Sequence, residues 1–391
     1  MNILSVAHSY PRWRGDMAGA FIHRLNVALT RRSHRVTVIA PGDKDLWGRD
    51  SLDEIDVHRV KYAPERWQQI AYRGTMDTAA LRPAGALWTI SLIARQALAI
   101  RELCTRGSEG IDLVHCHWWV PGGLSTFLSQ IRTPYVVTHH GTDVRILERS
   151  AVARKIGRRV VVKANAVTAV SNYLADRVAS LCQVPRSAIH VQTMPSAIEV
   201  VARARTNGGR IITVGRLTKQ KRIHVLLDAF HMLRDRRPDV CLSIIGDGPE
   251  RVALQTQATG LGIENSVEFT GQIEPNDVAT ALSEAAVFAF PAVDEGFGLA
   301  AAEALMTGVP VVASRSGASP DFVPEQGAGR LVTPDDAAAL ALALEELLDD
   351  ADADSKAEAV GEELRARLSA ESVAENYERI YEGVIGKSRV T

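Results

Sequence analysis

FAFPAVDEGFGLAAAEALMTGVPVVAS, Phe288 to Ser314, reads as an apolar strand, a glycine-rich turn, an Ala-rich helix and a second apolar strand. Strand, helix, strand is the unit from which parallel sheets are built. Within it, Gly296 and Gly298 let the backbone turn tightly with exposed N–H groups, and the helix that follows directs its partial positive end at the turn. An anion fits there. Glu295 precedes the turn and Glu303 lies roughly one and a half helical turns into the helix, so a carboxylate can meet each end of a ligand such as a diphosphate-linked sugar. An isolated glycine pattern of this kind is more often a close-packed turn with solvated glutamates. The surrounding sequence decides between them.

Working outward, the second half supplies further strands, RIITVG, VCLSIIG and VEFTG, separated by the helical HVLLDAFHMLRDR, PERVALQTQATGLG and NDVATALSEA. The first half alternates in the same way: NILSVA, the helical FIHRLNVALTRR and RVTVIAP, then IDVHRV, DLVHCH, YVVTHH and AVTAVS. Both halves therefore predict a doubly wound parallel sheet. Val201 to Arg210 has the composition of a linker, which places the domains at 1–200 and 210–369 with a linker at 201–209. Residues 370–391 are expected to form a last helix that crosses back to the first domain. In the second domain TVGRLTKQKR puts Arg216 and Lys221 beyond the carboxyl end of its first strand, where doubly wound sheets bind ligands and two cations can neutralise a diphosphate.

With 46% hydrophobic and 23% charged residues over 391, the composition is that of a folded globular protein and leaves no ground for a disordered or membrane-spanning chain. MNILSVAHSYP reads as a first strand and not a signal peptide, so a cytoplasmic location is expected. Cys104, Cys116, Cys182 and Cys241 are scattered and predict mostly buried free thiols. Net charge conceals an asymmetry: residues 1–200 carry 26 Lys and Arg against 16 Asp and Glu, and the remainder carries 19 against 30. AVARKIGRRVVVK, Ala151 to Lys163, concentrates five cations next to apolar residues. It suits an anionic membrane surface and, equally, a solvated helix face. No nucleic-acid partner is expected.

These segments in this order resemble glycosyltransferase family 4, the retaining, nucleotide-sugar-dependent enzymes with the GT-B fold of two Rossmann-like domains facing a central cleft. SYPRWRGDMAGAFIHRLNVAL, HCHWWVPGGL, VVTHHGTDV and AVSNYLADRV resemble its acceptor half. VGRLTKQKR, IIGDGPE, FTGQIEPNDV, the Phe288–Ser314 stretch and AENYERIYEGV resemble its donor half. The resemblance implies that Arg216 and Lys221 stabilise the leaving diphosphate, that Glu295 meets the donor sugar and that Glu303 takes the ribose hydroxyls. Gly296, Phe297, Gly298 and Leu299 would supply backbone N–H groups, and Gly19 would close on the diphosphate. The base would lie near Gly246 and Ile273, and His140 beside the reacting sugar, with His139 pointing the other way.

The implied reaction is sugar transfer from a nucleotide diphosphate donor to an acceptor hydroxyl, with no cofactor and no obligatory metal. The basic first half favours a lipid-linked or envelope glycan acceptor at the inner membrane face; a soluble small-molecule acceptor is the alternative. Readings of another class are a nucleotide-sugar 2-epimerase and an inactive nucleotide-sugar-binding module. HCHWW, with His115 and His117 on one strand face, imitates a zinc pair without the rest of a ligand set. DKD at Asp43–Asp45 and the DAD triplets between Asp350 and Asp354 read as solvated loops. Four positions depart from the family pattern. MPSAIE, Met194 to Glu199, lacks the usual glycine turn and is expected to take another shape. Arg222 and Ser33 stand where glycine is common, and Asp321 where glutamate is usual.

Overall fold

The computed structural model describes residues 1–68, 70–72, 83–106, 110–201, 203–204 and 209–388. The chain divides into two compact units, one of Met1–Pro195 with the chain from Ser369 onward, the other of Ser196–Leu368. Of the linker expected at 201–209, residues 202 and 205–208 lie outside the described residues. Arg203 is paired with Asp354 at 2.7 Å.

The first unit is built on strands β1 (Asn2–Val6), β2 (Arg35–Pro41), β3 (Gly48–Leu52), β4 (Ile55–Val60), β5 (Leu113–His117), β6 (Tyr135–His139), β7 (Ala166–Ala169) and β8 (Ile189–Val191). Their order is β3-β4-β2-β1-β5-β6-β7-β8. Every pairing is parallel except β3 with β4. β5 and β6 are buried along their whole length, as strands covered on both faces must be. The edge strand β3, GRDSL, buries only Leu52, so it carries no apolar alternation from which it could be read.

The last helix, Ala370–Ser388, belongs to this unit. It presses Tyr377 and Tyr381, both fully buried, onto the sheet. The Tyr381 hydroxyl lies 2.7 Å from His115 Nδ1, and the Glu378 carboxylate is bound by Arg32 and, at 3.0 Å, by His34.

The second unit holds β9 (Arg210–Val214), β10 (Cys241–Ile245), β11 (Val267–Gly271), β12 (Val287–Phe290), β13 (Val311–Ser314) and β14 (Gly329–Val332), all parallel, in the order β11-β10-β9-β12-β13-β14. Strand order reverses between β9 and β12, and the loops leaving the carboxyl ends of those two strands frame a crevice. In the first sheet the reversal falls between β1 and β5. β14, with two of its four residues only half-buried, is a strand that the sequence pattern did not show.

Three other expectations need correction. Asp43 is no solvated loop residue: Arg12 holds its carboxylate at 2.5 Å, and its side chain is 11% exposed. The acidic stretch after Asp349 is likewise engaged, with Asp350 bound to Lys356 at 3.0 Å and Asp354 to Arg203. Of the four cysteines, all free, Cys116 and Cys182 are buried, Cys104 is intermediate and Cys241 is exposed.

Candidate active site

In the second unit the crevice at the strand-order reversal gathers several of the expected residues. Gly215 follows β9 with φ 154°, and Arg216 and Lys221 stand in the loop that leads to the helix Ile223–Arg234. Lys221 Nζ lies 2.9 Å from Glu295 Oε2 and 5.1 Å from the centre of the Phe290 ring. Two groups that the sequence assigned to separate parts of a ligand are thus an ion pair with each other. Gln220 Nε2 donates to the Asp294 carbonyl at 3.0 Å, and Val293 N–H donates to the Gln220 carbonyl at 3.0 Å, joining the two loops. Arg216 is half-buried and, among the described residues, its guanidinium has no acidic partner; burial lowers its pKa. It is the positive charge of the crevice that remains to be neutralised.

Gly298 takes φ 95° immediately before the helix Leu299–Met306, a conformation that suits glycine, and a Cβ there would come within 3.0 Å of the Phe290 ring. The Gly298 carbonyl takes the N–H groups of Ala301 and Ala302, while those of Leu299 and Ala300, at the start of the helix, have no acceptor within it. Phe297 contributes in a way the sequence did not show: its ring is buried and stacks on Phe322 at 5.1 Å. The peptide of Glu295 is held from behind by SGASP. Ala318 N–H donates to its carbonyl at 3.0 Å, and a Cβ on Gly317 would sit 2.5 Å from Glu295 N and O. This bracing role of Gly317 was missed, because a lone glycine in a loop gives no sign of what approaches it.

Glu303 is 4% exposed, and its Oε1 accepts hydrogen bonds from Ser196 Oγ at 3.0 Å and Ala197 N–H at 2.7 Å. The loop that departs from the family pattern is therefore bound to the carboxylate expected to take the ribose. Gly246, at φ 130°, donates its N–H to the Gly271 carbonyl at 2.8 Å, and a Cβ on it would lie 2.0 Å from the Gly215 carbonyl oxygen. Only glycine fits there. Ile273, half-buried, follows β11 beside it.

In the first unit, His140 lies just beyond β6. Its Nε2 is 3.2 Å from His117 Nδ1, and its ring is 4.6 Å from Trp118 and 5.3 Å from Phe21. Phe21 stands in the first turn of the helix Ala20–Arg31, whose preceding residue Gly19 has φ 76°. A Cβ on Gly19 would lie 2.3 Å from the Ser9 carbonyl, so the loop and the helix meet there only with glycine.

Asp143, which the sequence reading passed over, organises this corner. Oδ1 accepts from the backbone N–H groups of His140 and Gly141 at 3.1 Å each, and Oδ2 lies 2.7 Å from His139 Nδ1. His139 and His140 thus turn to different partners. Burial alone would raise Asp143, but His139, His140 and the hydrogen bonds prevail and hold it at about 2. Burial lowers His140 to about 3 and His8 to about 4, and His117 falls well below its ordinary value for the same reason. At neutral pH these rings are uncharged, each offering one donor and one acceptor. The rings of His115 and His117 lie 4.1 Å apart and tilted by 38°, and His115 is engaged at both nitrogens, by Tyr381 and by Thr138 at 2.7 Å.

A family model described as Glycosyl transferases group 1 matches residues 198–367, and one described as Glycosyltransferase Family 4 matches residues 18–193. The chain is a glycosyltransferase, built of a family 4 domain followed by a group 1 domain. The resemblance read from its motifs is borne out, and it is a GT-B enzyme of the nucleotide-sugar-dependent kind. Glycogen synthase of Mycobacterium tuberculosis is 28% identical over 371 residues, 90% of this chain and 86% of that one. GDP-mannose-dependent alpha-(1-6)-phosphatidylinositol monomannoside mannosyltransferase of Mycolicibacterium smegmatis is 35% identical over 233 residues, 55% of this chain and 61% of that one. HepE of Anabaena, solved in complex with UDP-glucose, shares the fold at a TM-score of 0.73 and 20% identity, over 98% of this glycosyltransferase and 100% of that structure. The GT-B expectation for the fold stands with it. No described helix of the glycosyltransferase is long and apolar enough to cross a membrane.

Proposed function

We propose that this glycosyltransferase moves a sugar from a UDP- or GDP-linked donor to an acceptor hydroxyl, with retention of anomeric configuration and without an obligatory metal. The observation that carries the reading is the crevice of the second unit, where Arg216, Lys221 and the start of the helix Leu299–Met306 gather around one strand-order reversal. The bond from the anomeric carbon to the diphosphate oxygen breaks, and one to the acceptor oxygen forms on the same face. The acceptor proton passes to the departing phosphate. Fixed positive charge where the leaving group gains charge is commonly the largest catalytic term. Glu295 would orient the donor sugar and Glu303 the ribose, while Gly296, Phe297, Gly298 and Leu299 would offer N–H groups. Gly246 and Ile273 would flank the base, and His140 and Gly19 keep the roles that the family resemblance gives them.

For the acceptor we favour a lipid-linked or envelope glycan, with an anionic membrane face as partner. Support comes from a groove of about 910 Å³ in the first unit, lined by Arg154, Lys155, Arg158, Arg159 and Lys163 with no acidic residue in its wall. On the same helix Val152 and Val162 are 68% and 63% exposed. Cations interleaved with exposed valines match a headgroup layer better than they match bulk water. The phosphatidylinositol mannoside named for the relative in Mycolicibacterium smegmatis is an acceptor of this class.

The test is a thermal-shift screen against UDP-, GDP-, ADP- and TDP-sugars, then NMR of the product's anomeric configuration with and without EDTA. One donor bound, a retained anomer and indifference to EDTA are expected. An inverted product, a dependence on metal, epimerisation of the donor or no donor bound would each defeat the corresponding part. Vesicles of phosphatidylglycerol should bind the protein and release it with salt; equal binding to neutral vesicles would remove the membrane partner in favour of a soluble acceptor.

A further inference from the structure

We infer that Ser196 is a positioning residue for the ribose of the donor, acting through Glu303. This rests on the reading that Glu303 takes the ribose hydroxyls. Glu303 is nearly fully buried in the helix Leu299–Met306, and a buried carboxylate left to rotate would have to be ordered each time a nucleotide binds. Here two donors converge on one of its oxygens: Ser196 Oγ at 3.0 Å and Ala197 N–H at 2.7 Å. They fix the plane of the carboxylate before any ligand arrives, which is how a binding group becomes selective instead of merely attractive.

The hydroxyl of Ser196 has one proton and two acceptors within reach, Glu303 Oε1 and the Ile198 carbonyl at 2.9 Å. The carboxylate is the stronger acceptor. Ile198 N–H, 3.2 Å away, donates into the Ser196 oxygen and completes its coordination. Ser196 is itself 3% exposed, and its own N–H donates to the Leu368 carbonyl at 3.1 Å, so the brace is tied to the end of the helix Ala353–Leu368. MPSAIE lacks the glycine turn of the family pattern and presents a hydroxyl and an N–H to Glu303.

The experiment compares binding of UDP and GDP with that of their 2′-deoxy counterparts by calorimetry, in the full-length protein and in Ser196→Ala. The wild type should prefer the ribonucleotide about tenfold or more, the loss expected when a site built for a hydroxyl meets its absence. Ser196→Ala should bring that preference down to about threefold or less, and Ser196→Thr, which keeps the hydroxyl, should restore it. Both nucleotides meet the same protein, so a purely structural loss would weaken both and leave their ratio alone. Ser196→Cys, close in volume and a poor donor, serves if the alanine variant does not fold. A ratio unchanged in Ser196→Ala, with the wild type discriminating, overturns the role of Ser196 and spares that of Glu303. A wild type that does not discriminate overturns the ribose role of Glu303, and this inference falls with it.

Discussion

Replacing Lys221 with Met keeps the volume of the side chain and removes its charge, and it separates catalysis from stability. The Lys221–Glu295 pair is 2.9 Å long, but its partners remain 19% and 22% exposed. A pair that water still reaches contributes about 1 kcal/mol. The thermal midpoint of a unit of this size should therefore move by about 2–4 °C at most. The effect on turnover is of another order. A cation about 4 Å from a unit charge at an effective dielectric near 20 is worth about 4 kcal/mol. The donor diphosphate is already charged in the ground state, and only the excess in the transition state accelerates the reaction. Loss of a single preorganised donor in comparable sites costs about 10²–10³ in kcat, and this is the range expected for Lys221→Met at saturating donor. Lys221→Arg, which retains charge but not the point geometry, should fall between the two. Initial rates measured beside a melting curve decide the matter. A Lys221→Met rate within about fivefold of wild type, or a midpoint lowered far beyond the expected range with activity lost in proportion, would refute the reasoning.

His140→Ala should lower transfer by about tenfold or more while donor affinity stays within about threefold, as for loss of one hydrogen bond made in the transition state; equal loss of both would reduce His140 to a positioning role. The buried rings of His8, His115 and His140 give the pH dependence of stability its sign. Their folded-state values, about 4, 3 and 3, lie below the ordinary 6.5, so between these limits the unfolded chain binds more protons than the folded one. Stability present above pH ~6.5 should be lost as pH falls toward ~4, before Asp143 is protonated, and a melting midpoint that stays flat over that window would contradict it. Ser33 closes the helix Ala20–Arg31 with φ 65°, and Ser33→Gly should raise stability by about 1 kcal/mol, read as a higher midpoint with unchanged activity.

What could be read from the sequence follows from which interactions are local. Apolar runs such as RIITV and YVVTH announce themselves as buried parallel strands, and the Phe288–Ser314 stretch announces a strand, turn and helix. GRDSL could not be read in this way, because an edge strand is fixed by its partner IDVHRV and not by its own pattern. The site divides along the same line. Arg216, Lys221, Glu295 and Glu303 stand out by charge type beside glycines, but the Lys221–Glu295 pair joins residues far apart in the chain, as does the hold of Ser196 on Glu303. Asp143 was overlooked although His139 stands only four residues back, because its hold on the backbone of Trp119 forms only once β5 and β6 pair.

The departures from the family pattern carry more information than the agreements. Two of them, Ser33 and Arg222, stand where glycine is common, and both take left-handed backbone, at φ 65° and 53°. The positions demand positive φ whichever residue fills them, and a side chain there costs about 1–2 kcal/mol that must be recovered elsewhere. For Arg222 the recovery is visible: it ends the Lys221 loop, pairs with Asp335 at 2.8 Å and donates to the Lys219 carbonyl at 2.9 Å. Lys221 is thus followed by a residue whose guanidinium is hydrogen-bonded to one carbonyl and lies against one carboxylate, which stiffens the loop that presents it. For Ser33 no comparable partner is seen among the described residues, which is why the glycine variant is expected to gain stability there and not at Arg222. The third departure, at MPSAIE, replaces a flexible turn with a brace on Glu303. A missing glycine therefore signals either tolerated strain or a new contact, and only the neighbours in space tell which.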